Sequence, residues 1–221
     1  MKQIILDTET TGLSIKDGHR IVEIGCIELD NLIPTLKRFH CYLNPERKVS
    51  EKALAVHGYT DEFLSDKKKF ADIVNDFLDF IKEKELIIHN AEFDLSHIDN
   101  ELRILGLKEI DKTNVIDTLD LARKKFPGSQ ISLDALCKRF RIDNSKRAQH
   151  SALVDCDLLS KVYVNLIDQK EPKLEFNTSF EENNISHLKN VSYSKRVIKP
   201  SNHELHAHKN FLKTNLKKNF Y

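Results

Sequence analysis

Residues 1–13 read MKQIILDTETTGL, and this stretch decides the fold because an apolar run there ends in two carboxylates. Ile4, Ile5 and Leu6 form a short apolar strand pattern that leads directly into Asp7 and Glu9. Side chains at positions i and i+2 of a strand project to the same face, so these two carboxylates point the same way and repel each other. We therefore expect a positive group between them.

Two further strand patterns follow residues 3–7 closely, at residues 20–29 (RIVEIGCIEL) and residues 39–43 (FHCYL). Turn-like stretches at residues 14–19 and 30–34 separate the three patterns. Connections this short cannot carry the crossover that parallel strands need, so the first three strands should pair antiparallel.

The sequence beyond residue 69 alternates helical and strand patterns. Residues 70–83 (FADIVNDFLDFIKE) repeat apolar side chains at the spacing of an amphipathic helix. The later patterns predict strands at 85–89 and 114–116 and helices at about 94–105, near 118–125, near 132–140 and after Ser151. Antiparallel strands followed by helix–strand alternation predict an α/β fold with a mixed sheet flanked by helices.

The composition limits the classes of protein to which the chain can belong. The chain has 221 residues, of which 40% are hydrophobic and 31% charged, which suits one good core in a globular protein. Its apolar runs are too short to cross a bilayer, and the N-terminus reads as a strand rather than a cleavable signal. We expect a cytoplasmic protein with no membrane association, whose four dispersed cysteines are reduced.

The C-terminal part differs in charge and pattern from the rest. The residues from Glu171 onward carry nine Lys or Arg against five Asp or Glu, so the preceding body is mildly acidic. We predict a domain over residues 1–170, a flexible linker over 171–199 and a C-terminal segment over 200–221. In that segment a short helix would place several apolar side chains roughly on one face: Leu205, Phe211, Leu212 and Leu216.

Two more acidic positions lie at junctions between predicted elements. Asp94, in HNAEFD, opens a helix just past a buried strand, and Asp155, in HSALVD, lies five residues after His150. If the side chain of Ser151 caps the last long helix, Asp155 leans back toward the loop that carries His150. Each residue alone has an ordinary interpretation as a solvated turn, a helix cap or a loop histidine. Together they fall where catalytic groups are mounted on a rigid scaffold.

In this order, DTETTGL, HNAEFD and HSALVD resemble the three motifs of the DEDDh family of 3′–5′ exonucleases, which implies a ribonuclease H-like fold. The likeness is greatest to the branch of proofreading subunits that serves bacterial DNA polymerase III. VHGYTDEFL, FPGSQISLDALCKRF and IDNSKRAQHSALVD also resemble that branch, so the resemblance covers roughly residues 1–170.

The resemblance implies the roles of the site residues. Asp7, Glu9 and Asp155 would hold one divalent metal ion, Asp7 and Asp94 a second, and both ions would be Mg²⁺ or Mn²⁺. His150 would be the catalytic base. Asp7, Glu9 and Asp155 would also contact the substrate, as would His57, which otherwise reads as a turn histidine after a short helix. Where the branch has a glutamate five residues before this histidine, this chain has Lys52.

The resemblance also implies the function and the partners. The chain would proofread during DNA replication by hydrolysing mispaired 3′-terminal nucleotides at single-stranded or frayed DNA ends, releasing 5′-mononucleotides. The segment 200–221 would dock on the polymerase (alpha) subunit, unless it is a disordered basic tail, and a small accessory subunit could bind the nuclease domain. Two alternatives remain open at this point, an RNA-trimming enzyme of the same family and a non-catalytic scaffold, although a scaffold would be expected to have lost some of the five catalytic residues.

Overall fold

A computed structural model describes residues 2–145, 147, 149–168 and 199–215. The chain divides into two compact units, Met1–Leu174 and Glu175–Tyr221. Most of the predicted linker over 171–199 lies outside the described residues, as does Leu216 in the C-terminal segment. The predicted domain boundaries therefore stay predictions.

The first unit is built on one mixed sheet of five strands in the order β3-β2-β1-β4-β5. The strands are β1 (Lys2–Thr10), β2 (Ile21–Asp30), β3 (Ile33–Tyr42), β4 (Glu85–Ile88) and β5 (Val115–Asp117). β1 pairs antiparallel with β2 and parallel with β4, and β4 pairs parallel with β5. The mixed sheet and its antiparallel first strands confirm the prediction, and the acidic strand β1 lies at the centre.

Helices pack on both faces of this sheet. The helices of the first unit are α1 (Glu51–His57), α2 (Asp61–Ser65), α3 (Phe70–Ile81), α4 (Ala91–Ile104), α5 (Thr118–Lys125), α6 (Leu133–Phe140) and α7 (Ala152–Leu166), and the second unit contains α8 (Asn202–Asn215). Ile4 and Leu6 of β1 join one buried cluster with α3 and α4, whereas Ile5 joins a second cluster with α6 and α7. The alternation along β1 thus places one apolar layer on each face of the sheet.

The hairpin between β2 and β3 is tighter than the sequence predicts. Residues 30–34 read as a turn, but β3 already begins at Ile33, so only Asn31 and Leu32 make the reversal. Both adopt left-handed backbone conformations, with φ of 49° and 69°. A two-residue loop of this kind matches the twist of the flanking strands, which explains why β3 extends beyond the predicted 39–43.

The start of α7 corrects the predicted cap. Ser151 occupies the cap position, but its side chain accepts no hydrogen bond from the helix. Its Oγ atom instead donates to Oε1 of Glu23 at 2.9 Å, and the N–H of Ala152 donates to Oε2 of Glu23 at 2.9 Å. The prediction that the Ser151 side chain caps this helix is wrong, because a buried carboxylate from β2 accepts both hydrogen bonds.

The start of α4 differs as well. Asp94 does not open this helix, which begins at Ala91 after Asn90 in a left-handed conformation with φ of 70°. The Asp117 carboxylate, at the end of β5, accepts hydrogen bonds from the N–H groups of Asn90 and Ala91 at 3.0 and 3.1 Å. Asp94 consequently lies within the first turn of α4.

The four cysteines carry free thiols. Within the described residues, the helices all fall short of the length and apolarity that a membrane crossing requires.

Candidate active site

Asp7 and Glu9 lie on the central strand β1, which continues to Thr10, so both are strand residues rather than turn residues. Glu9 is 9% exposed. Burial raises the pKa of the Glu9 carboxyl to about 8, with further repulsion from Asp155 and Glu23. Burial also raises the pKa of Asp7, and repulsion from Asp94 and Asp155 adds to this effect. The two acids therefore share a charge-crowded position on one strand, as the i, i+2 spacing predicts.

Asp94 is bound to this strand from the side of α4. The N–H and Oγ1 of Thr8 both donate to Oδ1 of Asp94, at 2.9 and 2.7 Å. Asp94 is only 3% exposed, and burial raises its pKa to about 7 although the hydrogen bonds from Thr8 oppose the shift. Thr8 stands between the two acids of β1 in sequence, so its contacts hold a third carboxylate beside them.

Asp155 and His150 complete the cluster from the start of α7. Nδ1 of His150 lies 3.4 Å from Oδ2 of Asp155 and 4.0 Å from Oε1 of Glu9. Asp155 therefore reaches back toward the loop of His150, as the sequence predicts. His150 is the accessible member of this group, since its side chain is 42% exposed.

These side chains fit a divalent cation. One ligand atom from each of Glu9, His150 and Asp155 lies within 4.8 Å of the others. Asp7 and Asp94 add carboxylates close enough for Asp94 to raise the pKa of Asp7. Carboxylates that repel each other in this way concentrate negative charge, and such hard oxygen donors suit Mg²⁺ or Mn²⁺.

The sequence did not indicate Arg147, which joins the cluster from the loop before α7. Its Nε and Nη2 atoms donate to the two oxygens of Asp155 at 2.5 and 2.8 Å, and Nη1 lies 2.6 Å from Oδ2 of Asp134. Burial alone would raise the pKa of the Asp155 carboxyl, but its contacts with His150 and Arg147 hold that pKa below its usual range. A lone loop arginine carries no spacing signal that could have identified this role.

Arg147 also contacts His150. Its Nη2 lies 2.9 Å from Nδ1 of His150. Nδ1 of His150 is thus flanked by a donor, Arg147, and by the carboxylate of Asp155.

His57 lies at the end of α1 and is 1% exposed. Its Nε2 lies 3.3 Å from the carbonyl oxygen of Thr10, and its Nδ1 accepts a hydrogen bond from the N–H of Tyr59 at 3.0 Å. The ring borders a cleft of about 570 Å³ beside Glu9, which is also lined by Gly12, Leu13, Lys52, Val56 and Phe93. Its predicted contact with substrate stays a prediction.

Comparison with known proteins identifies the family of the chain. An exonuclease family model, RNase_T, matches residues 4–163. The DNA polymerase III subunit epsilon of Rickettsia typhi is 48% identical over 219 residues, covering 96% of both chains.

Solved structures give the same fold. Exonuclease X in complex with 5′ overhanging duplex DNA has a TM-score of 0.60 at 26% identity, over 76% of this chain and 92% of its own. The nuclease domain of 3′hExo, a DEDDh family member bound to rAMP, has a TM-score of 0.67 at 18% identity over the same shares. The chain therefore belongs to the RNase_T exonuclease family, in the branch formed by the DNA polymerase III epsilon subunits.

Proposed function

We propose that this exonuclease removes mispaired 3′-terminal nucleotides from DNA during replication, using two divalent metal ions held by Asp7, Glu9, Asp94 and Asp155 and a proton acceptor, His150. The observation that carries the proposal is the proximity of β1 to the starts of α4 and α7. Because these elements lie close together, Nδ1 of His150 is 3.4 Å from Oδ2 of Asp155 and 4.0 Å from Oε1 of Glu9.

The four carboxylates have distinct positions in the proposed reaction. Asp7, Glu9 and Asp155 would hold the ion that activates the water, and Asp7 and Asp94 would hold the ion on the side of the departing 3′ oxygen. Bound Mg²⁺ or Mn²⁺ would supply the Lewis acidity that activates the water and stabilises the leaving oxygen. The hydrogen bonds from Thr8 to Asp94 keep that carboxylate oriented.

His150 would take the proton from the attacking water. Its exposure leaves room for water and substrate, whereas the acids beneath it are largely buried. Nδ1 lies on the side of the carboxylates, where the water would lie. Arg147 also contacts Nδ1, so its guanidinium group would have to turn away before Nδ1 accepts a proton.

A frayed DNA end is the proposed substrate. The cleft beside Glu9 presents Leu13, Val56 and Phe93, apolar side chains against which a terminal nucleotide could stack. Mispaired ends cost less to unpair, so melting supplies selectivity without base-specific contacts. The near-neutral net charge of +1 suits an enzyme that a polymerase delivers to its substrate rather than one that grips duplex DNA.

The match to an epsilon subunit over almost the whole chain favours DNA over the RNA-trimming alternative. Residues 200–221 are the proposed contact with the polymerase III alpha subunit, and α8 there exposes Leu205 and Phe211. A small accessory subunit on the nuclease domain belongs to the same proposal. This role would place the enzyme in the bacterial cytoplasm.

The test measures mononucleotide release from a primer with a mispaired 3′ end, with Mg²⁺ or Mn²⁺ and with EDTA. A matched primer and an RNA oligonucleotide of the same sequence are the controls. We expect metal-dependent release of 5′-mononucleotides that is fastest from the mispaired DNA. Faster release from RNA would favour the trimming alternative, and no cleavage of either substrate would contradict the proposal.

The four acids can be tested individually in the same assay. Replacing Asp7 by Asn should abolish most release while leaving the fold intact by circular dichroism. Full activity of Asp7→Asn would contradict the assignment of the metal ligands.

A further inference from the structure

Glu23 is a buried carboxylate to which neither the motifs nor the proposed mechanism gives a role. It lies on β2 with a relative exposure of 0%. Isolated charges are rarely left inside a core, because burial without partners costs several kcal/mol or more. Its environment therefore has to supply compensation.

Each oxygen of Glu23 accepts two hydrogen bonds. Oε1 lies 2.7 Å from Nε2 of His40 and 2.9 Å from Oγ of Ser151. Oε2 accepts from the hydroxyl of Tyr59 at 2.8 Å and from the N–H of Ala152 at 2.9 Å. Burial raises the pKa of this carboxyl, but the hydrogen bonds outweigh it and hold the pKa below its usual range. Glu23 is thus a fully satisfied anion.

The donors come from three separate segments. His40 belongs to β3, Tyr59 to the connection between α1 and α2, and Ser151 with Ala152 to the start of α7. The partially positive N-terminus of α7 adds a favourable interaction with a carboxylate at this point. One side chain therefore ties the helix that carries Asp155 to the sheet and to the segment after His57.

The position of Glu23 in the sheet connects this tie to the acidic cluster. Glu23 is the direct partner of Glu9 across the β1–β2 pair. Directly opposed residues of antiparallel strands have Cβ atoms about 4.5–5.5 Å apart and face the same side. Glu23 contacts Ser151 and Ala152, which directly follow His150 in the chain and precede Asp155 by four and three residues. Glu23 thus lies between the strand of Glu9 and the helix of Asp155.

We propose that Glu23 is a positioning residue of this exonuclease, whose carboxylate fixes the start of α7 against β1 and β2 so that Asp155 and His150 stay within reach of Glu9. The inference rests on the metal and base roles proposed above for those three residues. Displacing a catalytic group by about 1 Å can reduce the rate about 10²-fold, so a contact of this kind acts on turnover without touching substrate.

A merely structural role is the alternative, and the chain offers a matched control for it. Glu28 lies on the same strand, is 2% exposed, and pairs with Lys84 at 3.0 Å. It is paired with Ile4 of β1 and lies five residues along β2 from Glu23. Glu23→Gln and Glu28→Gln thus each neutralise one buried glutamate of β2, but only the first alters the support of α7.

The experiment compares both variants in the full-length chain by Mn²⁺ binding calorimetry, by kcat and KM on single-stranded DNA, and by thermal unfolding. We expect Glu23→Gln to weaken Mn²⁺ binding and to lower kcat about 10- to 100-fold with KM nearly unchanged. We expect Glu28→Gln to lower Tm while leaving metal affinity and kcat close to wild type. Wild-type metal affinity and kcat in Glu23→Gln, or equal losses in both variants, would overturn the inference.

Ser151→Ala is the second variant, in case Glu23→Gln does not fold. It removes one of the hydrogen bonds to Glu23 and keeps the carboxylate, so we expect a smaller fall in kcat in the same direction. If Glu23→Gln does not fold, a Ser151→Ala variant with wild-type kcat and metal affinity would count against the inference. Asp7→Asn separates the two proposals: an inactive Asp7→Asn together with a wild-type-like Glu23→Gln rejects only the positioning role, whereas an active Asp7→Asn rejects the site itself.

Discussion

At the scale of the single residue, replacing His150 has the most direct effect on turnover. We expect His150→Gln to lower kcat about 10²- to 10⁴-fold, because it removes the proposed proton acceptor. Affinity for Mn²⁺ and KM for single-stranded DNA should change little, since the carboxylates remain. Steady-state kinetics with calorimetry checks this, and His208→Gln on α8 is the control. Wild-type turnover by His150→Gln would remove this histidine from the mechanism.

The guanidinium group of Arg147 is a positive charge of the protein itself, and it stabilises the acidic cluster. Its side chain is 7% exposed and pairs with Asp155, which is 5% exposed. Removing one partner of a buried pair costs about 3–5 kcal/mol. Arg147→Gln should therefore lower Tm strongly in EDTA and less in Mn²⁺, because a bound cation offsets the same carboxylates.

Differential scanning fluorimetry with EDTA and with Mn²⁺ measures this difference. Arg103→Gln is the control, since Arg103 pairs with Glu109 on the surface, where side chains are 60% and 52% exposed. Such an exposed pair contributes at most about 1 kcal/mol. Equal losses of Tm for Arg147→Gln with and without metal would contradict the prediction.

The raised pKa values of Glu9 and Asp94 give the metal-free protein a characteristic pH dependence. A carboxyl whose pKa rises from 4.5 to about 8 on folding, as for Glu9, binds more protons in the folded state. The free energy of unfolding then falls as pH rises between those two values. Asp94 acts in the same direction from 3.8 to about 7, whereas Asp155 and Glu23, whose pKa values are lowered, destabilise the fold only at more acidic pH.

Burial lowers the pKa values of His19, His57, His89 and His97, which act in the opposite direction below about pH 7. We therefore expect Tm in EDTA to decrease from about pH 7 to about pH 8.5. Glu9→Gln removes one of the titrating carboxyls and should flatten this decrease. Thermal unfolding monitored by circular dichroism across that range provides the measurement. A wild-type Tm that rises with pH would show that the acids do not repel each other as described.

At the scale of elements, the close packing of α7 on β2 depends on Gly25. A Cβ atom at this position would lie 2.6 Å from the carbonyl carbon of Ala152 and 2.7 Å from the nitrogen of Leu153. Both are backbone atoms, so α7 would have to move away. We expect Gly25→Ala to cost about 1–3 kcal/mol and to lower exonuclease activity, because the start of α7 carries Asp155.

Thermal unfolding and mononucleotide release check this together, with Gly106→Ala as the control. A Cβ atom at Gly106 meets nothing within 4 Å, although its φ of 70° makes any side chain somewhat unfavourable. The control should lose a little stability and keep activity. Unchanged activity in Gly25→Ala would mean that α7 tolerates the displacement.

Elements with strong periodicity could be predicted from the sequence, and short or charge-dependent features could not. The buried stripe of α3 and the acids of β1 follow from spacing alone. The extent of β3 could not be predicted from the sequence, because its first residues are exposed at the edge of the sheet and show little apolar alternation. Glu23 left one trace, a charge inside the apolar run IVEIG, which indicates a buried group that requires donors but does not say which residues supply them.

At the scale of the whole molecule, a nuclease unit is joined in sequence to a unit containing α8. Leu205 and Phe211 on that helix are 43% and 57% exposed. If α8 docks on the polymerase subunit, a tether would raise the local concentration of nuclease at a stalled primer end. We expect Phe211→Ser to weaken binding of the purified polymerase subunit and to leave mononucleotide release from free DNA unchanged.

Surface plasmon resonance with the polymerase subunit tests this, and Thr214→Ser on the same helix is the control. A shorter chain that ends before Asn177 should lose the interaction entirely and retain nuclease activity. Unaltered binding by the shortened chain would reject the tether.

The central place of β1 has a consequence for how the molecule opens. A strand paired on both sides exchanges its amide hydrogens slowly, in many proteins only through global unfolding, whereas helix ends and loops exchange through local openings of lower free energy. Asp7 and Glu9 pair with β2 and directly follow Gln3–Ile5, the part of β1 that is paired on both sides, whereas His150 and Arg147 belong to a loop. On warming, the two halves of the site should separate before the sheet melts, so catalytic inactivation would precede the loss of secondary structure.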